Sequence, residues 1–401
     1  MAGVYDEAVA IGAELTELRR AIHAEPEIGL DLPRTQRKVL DALAGLPLEI
    51  SLGTGLSSVT AVLRGGQPGK TVLLRADMDA LPVTERSGMP YASQIDGAMH
   101  ACGHDLHTAM LCGAARVLSA RSADLAGNVI FMFQPGEEGP GGGRIMVEEG
   151  VLDAAGDRPV AAYALHVASG LLPFGLFASR SGTIMAAADT LHVTVHGRGG
   201  HGSQPHRAAD PVPVACEIVL ALQTMVTRQF DVFDPVVLTV GTFHAGTADN
   251  VIPDDAHFVA TIRSFSPHAR DAVQKAAPRT AVQVAAAHGL TATAEFRDGY
   301  PVTINDATEL AFAEQTLAGL LGDGRYFAAP DPLTGSEDFS YVLEQVPGAF
   351  LMLGACPPDA DPFAAPFNHS AEAVFDDAVL PDGTALYAEL ALERLAQAAG
   401  A

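Results

Sequence analysis

Asp189-Thr-Leu-His-Val-Thr-Val-His196 reads as an apolar β-strand, and the elements after it decide the fold. In order come a helix (Pro211–Arg228), two strands (Val236–His244 and His257–Ser264), a helix (Pro267–His288) and a last strand (Thr291–Arg297). That β-α-β-β-α-β order is the ferredoxin-like split unit. It interrupts a different pattern. Upstream, amphipathic helices over Tyr5–His23 and Thr35–Leu43 precede strands at Thr60–Leu63, Thr71–Ala76, Asn128–Gln134 and Val160–His166, with a buried helix over Asp105–Leu118. Downstream, alternation resumes near Asp306 and ends in a long helix, Thr384–Ala399. Such alternation indicates α/β architecture. We expect a mixed-sheet α/β domain made of residues 1–184 and 300–401, interrupted over residues 185–299 by a smaller α+β, ferredoxin-like domain.

Composition narrows the function. The 401 residues are 48% hydrophobic and 18% charged, so the chain is globular and long enough for more than one core. Its formal net charge of -24 comes with no basic stripe to neutralise phosphates, which argues against a nucleic-acid partner. The start of the chain lacks a basic segment followed by an apolar one, and no apolar run reaches membrane-spanning length. A cytoplasmic protein without a membrane segment is expected. Four dispersed cysteines do not make a disulfide framework. Cys112, Cys216 and Cys356 read as small core residues, and Cys102 stands apart.

Cys102 belongs to His100-Ala-Cys-Gly-His-Asp-Leu-His107, which opens a helix. Cys102 and His104 are two apart in a turn, so both can converge on one ion, and a helix N-terminus favours the thiolate that binds metal. The spacing alone also allows a buried cysteine beside helix-capping residues. In Phe131-Met-Phe-Gln-Pro-Gly-Glu-Glu-Gly139 a hydrophobic strand ends in two adjacent carboxylates. Such a pair suits a division of labour in which one acid binds metal and its neighbour moves protons, although a solvated acidic turn looks the same. His166 ends another apolar strand and His369 lies in Phe367-Asn-His-Ser370. Singly, each reads as a hydrogen-bonded structural histidine. Together they fall at strand ends, where open α/β sheets place their sites.

Gly197-Arg-Gly-Gly-His-Gly202 matches the dinucleotide fingerprint, G-x-G-x-x-G after a strand. Pro205, Pro211 and Pro213 then stand where the phosphate-binding helix should continue, so a nucleotide-dependent oxidoreductase is disfavoured.

With these segments assembled, the chain resembles the M20 metallopeptidases, in particular the amidohydrolase branch that includes hippurate hydrolases, N-acetyl-amino-acid deacetylases and auxin-conjugate hydrolases. The resemblance spans nearly the whole chain. It rests on Arg20-Ala-Ile-His-Ala-Glu-Pro-Glu-Ile-Gly29, Leu74-Arg-Ala-Asp-Met-Asp-Ala-Leu-Pro82, the Cys102 and Glu137 segments and Gly197-Arg-Gly-Gly-His-Gly-Ser-Gln-Pro-His206. Asn250-Val-Ile-Pro253, Gly335-Ser-Glu-Asp-Phe339 and Asn368-His-Ser370 complete it. Where other branches carry His-x-Asp on a strand, this chain has Arg75-Ala-Asp77, and Cys102 matches the thiolate ligand of the amidohydrolase branch. Gly136 stands where Ala is frequent.

The resemblance implies a catalytic domain with an inserted lid and dimerisation domain. Two divalent cations per subunit, drawn from Zn²⁺, Mn²⁺, Co²⁺ or Ni²⁺, would be held by Cys102 (bridging), His104, Glu138, His166 and His369, with Glu137 as general base. It gives His201 an oxyanion-stabilising role, in relatives often supplied by the neighbouring subunit of a homodimer, and Asn250 and Arg263 a contact with the substrate carboxylate. His23 and Asp77 are expected behind the ligands, and Ser336, Glu337 and Asp338 at a helix start. The implied activity is metal-dependent deacylation of a small-molecule N-acyl amino acid. A dipeptidase or carboxypeptidase of the same superfamily is the alternative. A non-catalytic metal-binding relative would lack Glu137 or a ligand, and all are present.

Overall fold

The computed structural model describes residues 3–400 and divides into two compact units, each with its own hydrophobic core. The larger comprises Met1–Ile184, Ile304–Asp331 and Tyr341–Ala401. Its mixed sheet runs, in spatial order, Leu48–Leu52, Val59–Arg64, Ala126–Gln134, Gln67–Asp77, Ala161–Ala168, Gly348–Gly354, Phe177–Ser179 and Tyr326–Ala328. Gln67–Asp77 is parallel to both of its neighbours, and Gly348–Gly354 is parallel to Ala161–Ala168. Antiparallel pairs lie toward the edges.

Val129-Ile-Phe-Met-Phe133 is buried throughout, the run expected of a strand covered on both faces. Helices His104–Ala120 and Leu380–Ala399 pack on each other and on Gln67–Asp77. The register places Asp77 opposite Gln134 and Arg75 opposite Ala164. Three parallel strands therefore end at one sheet edge, and the loops leaving that edge carry the candidate chemistry.

The smaller unit comprises Met185–Thr303 and Pro332–Ser340. Its antiparallel sheet runs Val236–Ala245, Asp255–Ser264, Ala187–His196, Thr291–Tyr300, the ferredoxin-like order. Leu191, Val193 and Val195 face a core shared with helices Pro211–Gln229 and Pro267–Ala287. Their neighbours Thr190, His192 and Thr194 are half-buried on the opposite face.

Some expectations are corrected. The first helix breaks at Ile11 into Val4–Ala10 and Gly12–Ala24, because Gly12 is a poor helix interior residue. A further strand, Gly348–Gly354, lies in the segment for which only a general alternation was expected. Cys216 is exposed on its helix, one residue off the buried stripe of Val214, Ala215 and Ile218. The helix expected at Ser336 starts at Ser340 and spans four residues. Among the described residues, no helix is long and apolar enough to cross a membrane.

Candidate metal centre

Cys102 and His104 flank Gly103, which caps the buried helix His104–Ala120 with φ 83°. Only glycine takes that left-handed conformation without strain, and a Cβ there would sit 2.3 Å from Val167 Cγ2. The turn points the thiol and the imidazole the same way. Glu137 and Glu138 follow strand Ala126–Gln134 through Gly136, whose φ of 74° makes any residue with a Cβ a strained choice here. His166 lies on strand Ala161–Ala168, and His369 sits in a loop with φ 73°, a conformation that costs a non-glycine residue roughly 1–2 kcal/mol.

These five side chains form two donor triads with one common member. Cys102, His104 and His166 place their donor atoms within 4.8 Å of one another, and so do Cys102, Glu138 and His369. Cys102 Sγ is 3.4 Å from His166 Nε2 and 3.2 Å from His369 Nε2, which is 3.0 Å from Glu138 Oε1. Donors sharing one tetrahedral ion, at bond lengths of about 2.0–2.3 Å, stand roughly 3.3–3.6 Å apart. Glu137, buried, forms a third group with His104 and Glu138.

The donor chemistry fits a cation. His166 Nδ1 donates to the Val167 carbonyl at 2.9 Å, which leaves the Nε2 lone pair toward Cys102. Both His104 ring nitrogens are buried without a hydrogen-bond partner, and buried Glu138 Oε1 is matched by its ion pair with His369. Burial disfavours protonated His104, but Asp77, Asp79 and Cys102 outweigh it and hold its pKa well above the ordinary value. Cys102 and Glu138, both against its ring, push His369 up to about 10. His166, by contrast, is kept neutral by burial and by nearby His107 and His104. Anionic donors thus draw protons onto two imidazoles where a divalent ion would displace them.

Further residues support this set. Asp79, overlooked in the sequence as a separate part, accepts the backbone N–H of Glu137 at 2.9 Å and of Glu138 at 3.0 Å, one per oxygen. The adjacency of two acids thereby becomes a fixed geometry. Asp77 takes Arg75 Nη1 at 2.7 Å and His107 Nδ1 at 2.5 Å, while His107 Nε2 accepts the Val167 N–H at 2.8 Å. His107 and Asp77 are therefore occupied with each other, behind the donors. Asn368 bonds the Cys102 and Val167 carbonyls through Nδ2 and the Ser169 N–H through Oδ1, fastening the His369 loop to two donor-bearing segments. The Asp-x-Asp pattern and the asparagine before His369 were the signals available for both.

In the smaller unit, exposed His201 lies on the two-residue strand Gly200–His201, paired with Val251–Ile252. Exposed Asn250 is next to it, its carbonyl taking the Gly202 N–H at 2.8 Å. The Ser203 N–H donates to His201 Nδ1 at 3.2 Å, so the neutral ring carries its proton on Nε2. Arg263 is half-buried on strand Asp255–Ser264, where burial lowers its pKa against an opposing pull from Asp189. The glycines of the dinucleotide-like segment are explained by close packing. A Cβ on Gly197 would meet the Ala209 carbonyl at 2.3 Å, and one on Gly200 would meet Ala208 Cβ at 2.8 Å.

An α/β unit with two donor triads and a paired acid at parallel strand ends has the form of a dinuclear metallohydrolase. Residues 73–393 match the model of peptidase family M20/M25/M40, and the chain belongs to that family. It is 37% identical to thermostable carboxypeptidase 2 of Saccharolobus solfataricus, over 94% of this chain and 95% of the relative. It is 36% identical to N-acetylcysteine deacetylase of Bacillus subtilis, over 86% and 89% of the two chains. A crystal structure of a Bacillus subtilis protein described as a dinuclear metal-binding peptidase of the M20 family superposes with a TM-score of 0.82 at 32% identity, covering 96% of this chain and 99% of that one.

Proposed function

We propose that the protein hydrolyses the amide bond of N-acyl amino acids, releasing a carboxylic acid and a free amino acid. The observation that carries the reading is the cysteine sulfur common to two donor triads beside a second buried acid, Glu137. Two divalent cations held by Cys102, His104, Glu138, His166 and His369 would supply Lewis acidity, polarising the amide carbonyl and acidifying water. Glu137 takes the proton from the attacking water and delivers it to the departing nitrogen. His201, with its proton on Nε2, is the proposed donor to the developing oxyanion. Asn250 and Arg263 are the proposed contacts for the substrate carboxylate, for which a guanidinium fork is well shaped.

The carboxypeptidase relative supports a second reading that shares this chemistry. A peptide's C-terminal residue is itself an N-acylated amino acid with a free carboxylate. The two readings differ only in what lies on the acyl side. The test is a panel of N-acetyl, N-benzoyl and longer N-acyl amino acids beside dipeptides and blocked peptides, each with Zn²⁺, Mn²⁺, Co²⁺ or Ni²⁺ added to chelated protein. Metal-restored cleavage of the simple acyl compounds supports deacylation. Cleavage of peptides alone supports the carboxypeptidase. Full activity in protein shown by elemental analysis to be metal-free refutes both.

A further inference from the structure

Behind the donors lies a buried ion cluster that the proposed chemistry does not use, and it accounts for the N-terminal segment that begins at Arg20. Arg19 is 1% exposed. Its Nε lies 2.7 Å from Asp105 Oδ2 and its Nη1 3.0 Å from Asp377 Oδ1, ion pairs whose angles fall outside hydrogen-bond geometry. Arg20 Nε donates to the other oxygen of Asp377 at 2.8 Å, and both guanidinium groups lie over the Tyr91 ring, 4.6 and 4.7 Å from its centre. His23 bonds Asp105 at 2.7 Å and Glu85 at 3.2 Å. Next to Glu85, the Arg86 N–H donates to the Ala371 carbonyl.

The two acids that Arg19 joins are not equivalent in the chain. Asp105 directly follows His104, in the turn that also carries Cys102. Asp377 closes the segment that begins with the His369 loop. At the other end of that segment, the His369 N–H donates to the Ala101 carbonyl at 2.8 Å. The segment is thus tied to the Cys102 turn at one end by backbone and at the other by Arg19.

Buried ion pairs are poor stabilisers, because desolvation cancels most of their attraction, and apolar packing would serve stability as well. Their best use is to hold one register. Here the register is the 3.2 Å approach of His369 Nε2 to Cys102 Sγ, made by a residue whose backbone is itself strained.

We infer that Arg19 is a positioning residue for the metal centre: by pairing with Asp105 and Asp377 together, it sets the separation between the turn bearing Cys102 and His104 and the loop bearing His369. The inference rests on the proposed metal centre.

The experiment titrates metal-free, full-length protein with Co²⁺ alone, reading the thiolate-to-cobalt absorption and the bound equivalents. Arg19→Met should keep the far-ultraviolet dichroism of the parent and bind one equivalent normally, with the other weakened roughly 10–100-fold, the usual effect of losing a residue behind a ligand. Arg19→Lys should recover only part, since an ammonium lacks the planar fork. Asp377→Asn leaves the Arg19–Asp105 pair in place, weakens the contacts of Arg19 and Arg20 to Asp377 together, and should reproduce the loss of one equivalent. Arg20→Met, which removes only the exposed contact, should keep both equivalents. Asp377→Asn also carries the test if Arg19→Met does not fold. Two equivalents bound by Asp377→Asn with parental affinity and spectrum would overturn the inference and leave the metal reading intact. A parent protein that takes up no cobalt would overturn both.

Discussion

Replacing Gly103 by Ala tests whether the turn between Cys102 and His104 is as tightly determined as its geometry implies. Two costs add. A left-handed φ of 83° costs an alanine roughly 1–2 kcal/mol. The new Cβ would also meet Val167 Cγ2 at 2.3 Å and the Phe375 ring at 3.1 Å. Neither neighbour can yield easily. Both are buried, Val167 is stiff at χ1, and its N–H is fixed to His107. Overpacking of this kind costs about 1–3 kcal/mol, so the total should be roughly 2–5 kcal/mol. Gly29 isolates the first cost, because its φ is 82° and nothing lies within 4 Å of an added Cβ. Gly29→Ala should lose only about 1–2 kcal/mol. Urea unfolding of the metal-free chains measures both, and elemental analysis of the metal-loaded proteins should show depletion for Gly103→Ala alone. Val167→Ala in the Gly103→Ala background should give back part of the loss, a coupling expected of residues in contact. Equal losses at Gly103 and Gly29, or no coupling with Val167, would refute the reasoning.

Three other outcomes are expected. Glu137→Gln should keep its metal yet lower kcat by orders of magnitude, whereas Glu138→Gln should lower metal occupancy; reversed phenotypes would show the two acids exchanged in role. His201→Ala should keep metal and bind substrate but lose about 10²–10³ in kcat, the usual cost of a missing oxyanion donor. If a homodimer shares the residue across subunits, mixing that variant with Glu137→Gln should restore some turnover, and confirmed mixed dimers without rescue would place donor and acid in one chain. Last, burial pulls the His23 pKa down, but Asp105 and Glu85 outweigh it and push it up to about 9 from an ordinary 6.5. Since the folded value is the higher one, its stabilisation is complete below pH 6.5 and disappears as pH rises through 9, a change of roughly 2–4 kcal/mol. His23→Gln should flatten that decline in urea midpoints measured from pH 6 to 10, and an unchanged slope would remove His23 from the account.

Much of the architecture was legible because its signals are periodic. The six elements expected for the smaller unit appear within a few residues of their expected bounds, since alternating strands and amphipathic helices each display one buried face. Strand Gly348–Gly354 shows the opposite case. Buried between two other strands, it displays no alternation, and its seven residues with a glycine at each end are too short a run to tell strand from buried helix by periodicity. Of the candidate site, Glu137, Glu138 and His166 belong to the ends of two strands as expected, whereas Cys102 and His104 open a helix and His369 lies in a loop. What the chain could not display was convergence. Cys102 and His369 stand 267 positions apart and their donor atoms 3.2 Å apart, a closeness created by the sheet register and by Asn368. The Asp-x-Asp pattern marks Asp79 as a residue type, but its role of holding two backbone N–H groups has no counterpart in side-chain identity and needs the fold to show it.

The sulfur common to both donor triads has a consequence for how such a centre fails. A pair of ions with separate ligand sets can lose one member and keep the other. When a single atom serves both, damage to it reaches both places at once. Under the proposed mechanism, an oxidant, an alkylating reagent or a soft heavy metal that captures Cys102 disables the enzyme in one event, so its inactivation curve should follow the first modification and not the second. On that mechanism redundancy is given up for proximity, and the tolerance of the centre to its chemical surroundings depends on one sulfur, carried by a residue that is 7% exposed.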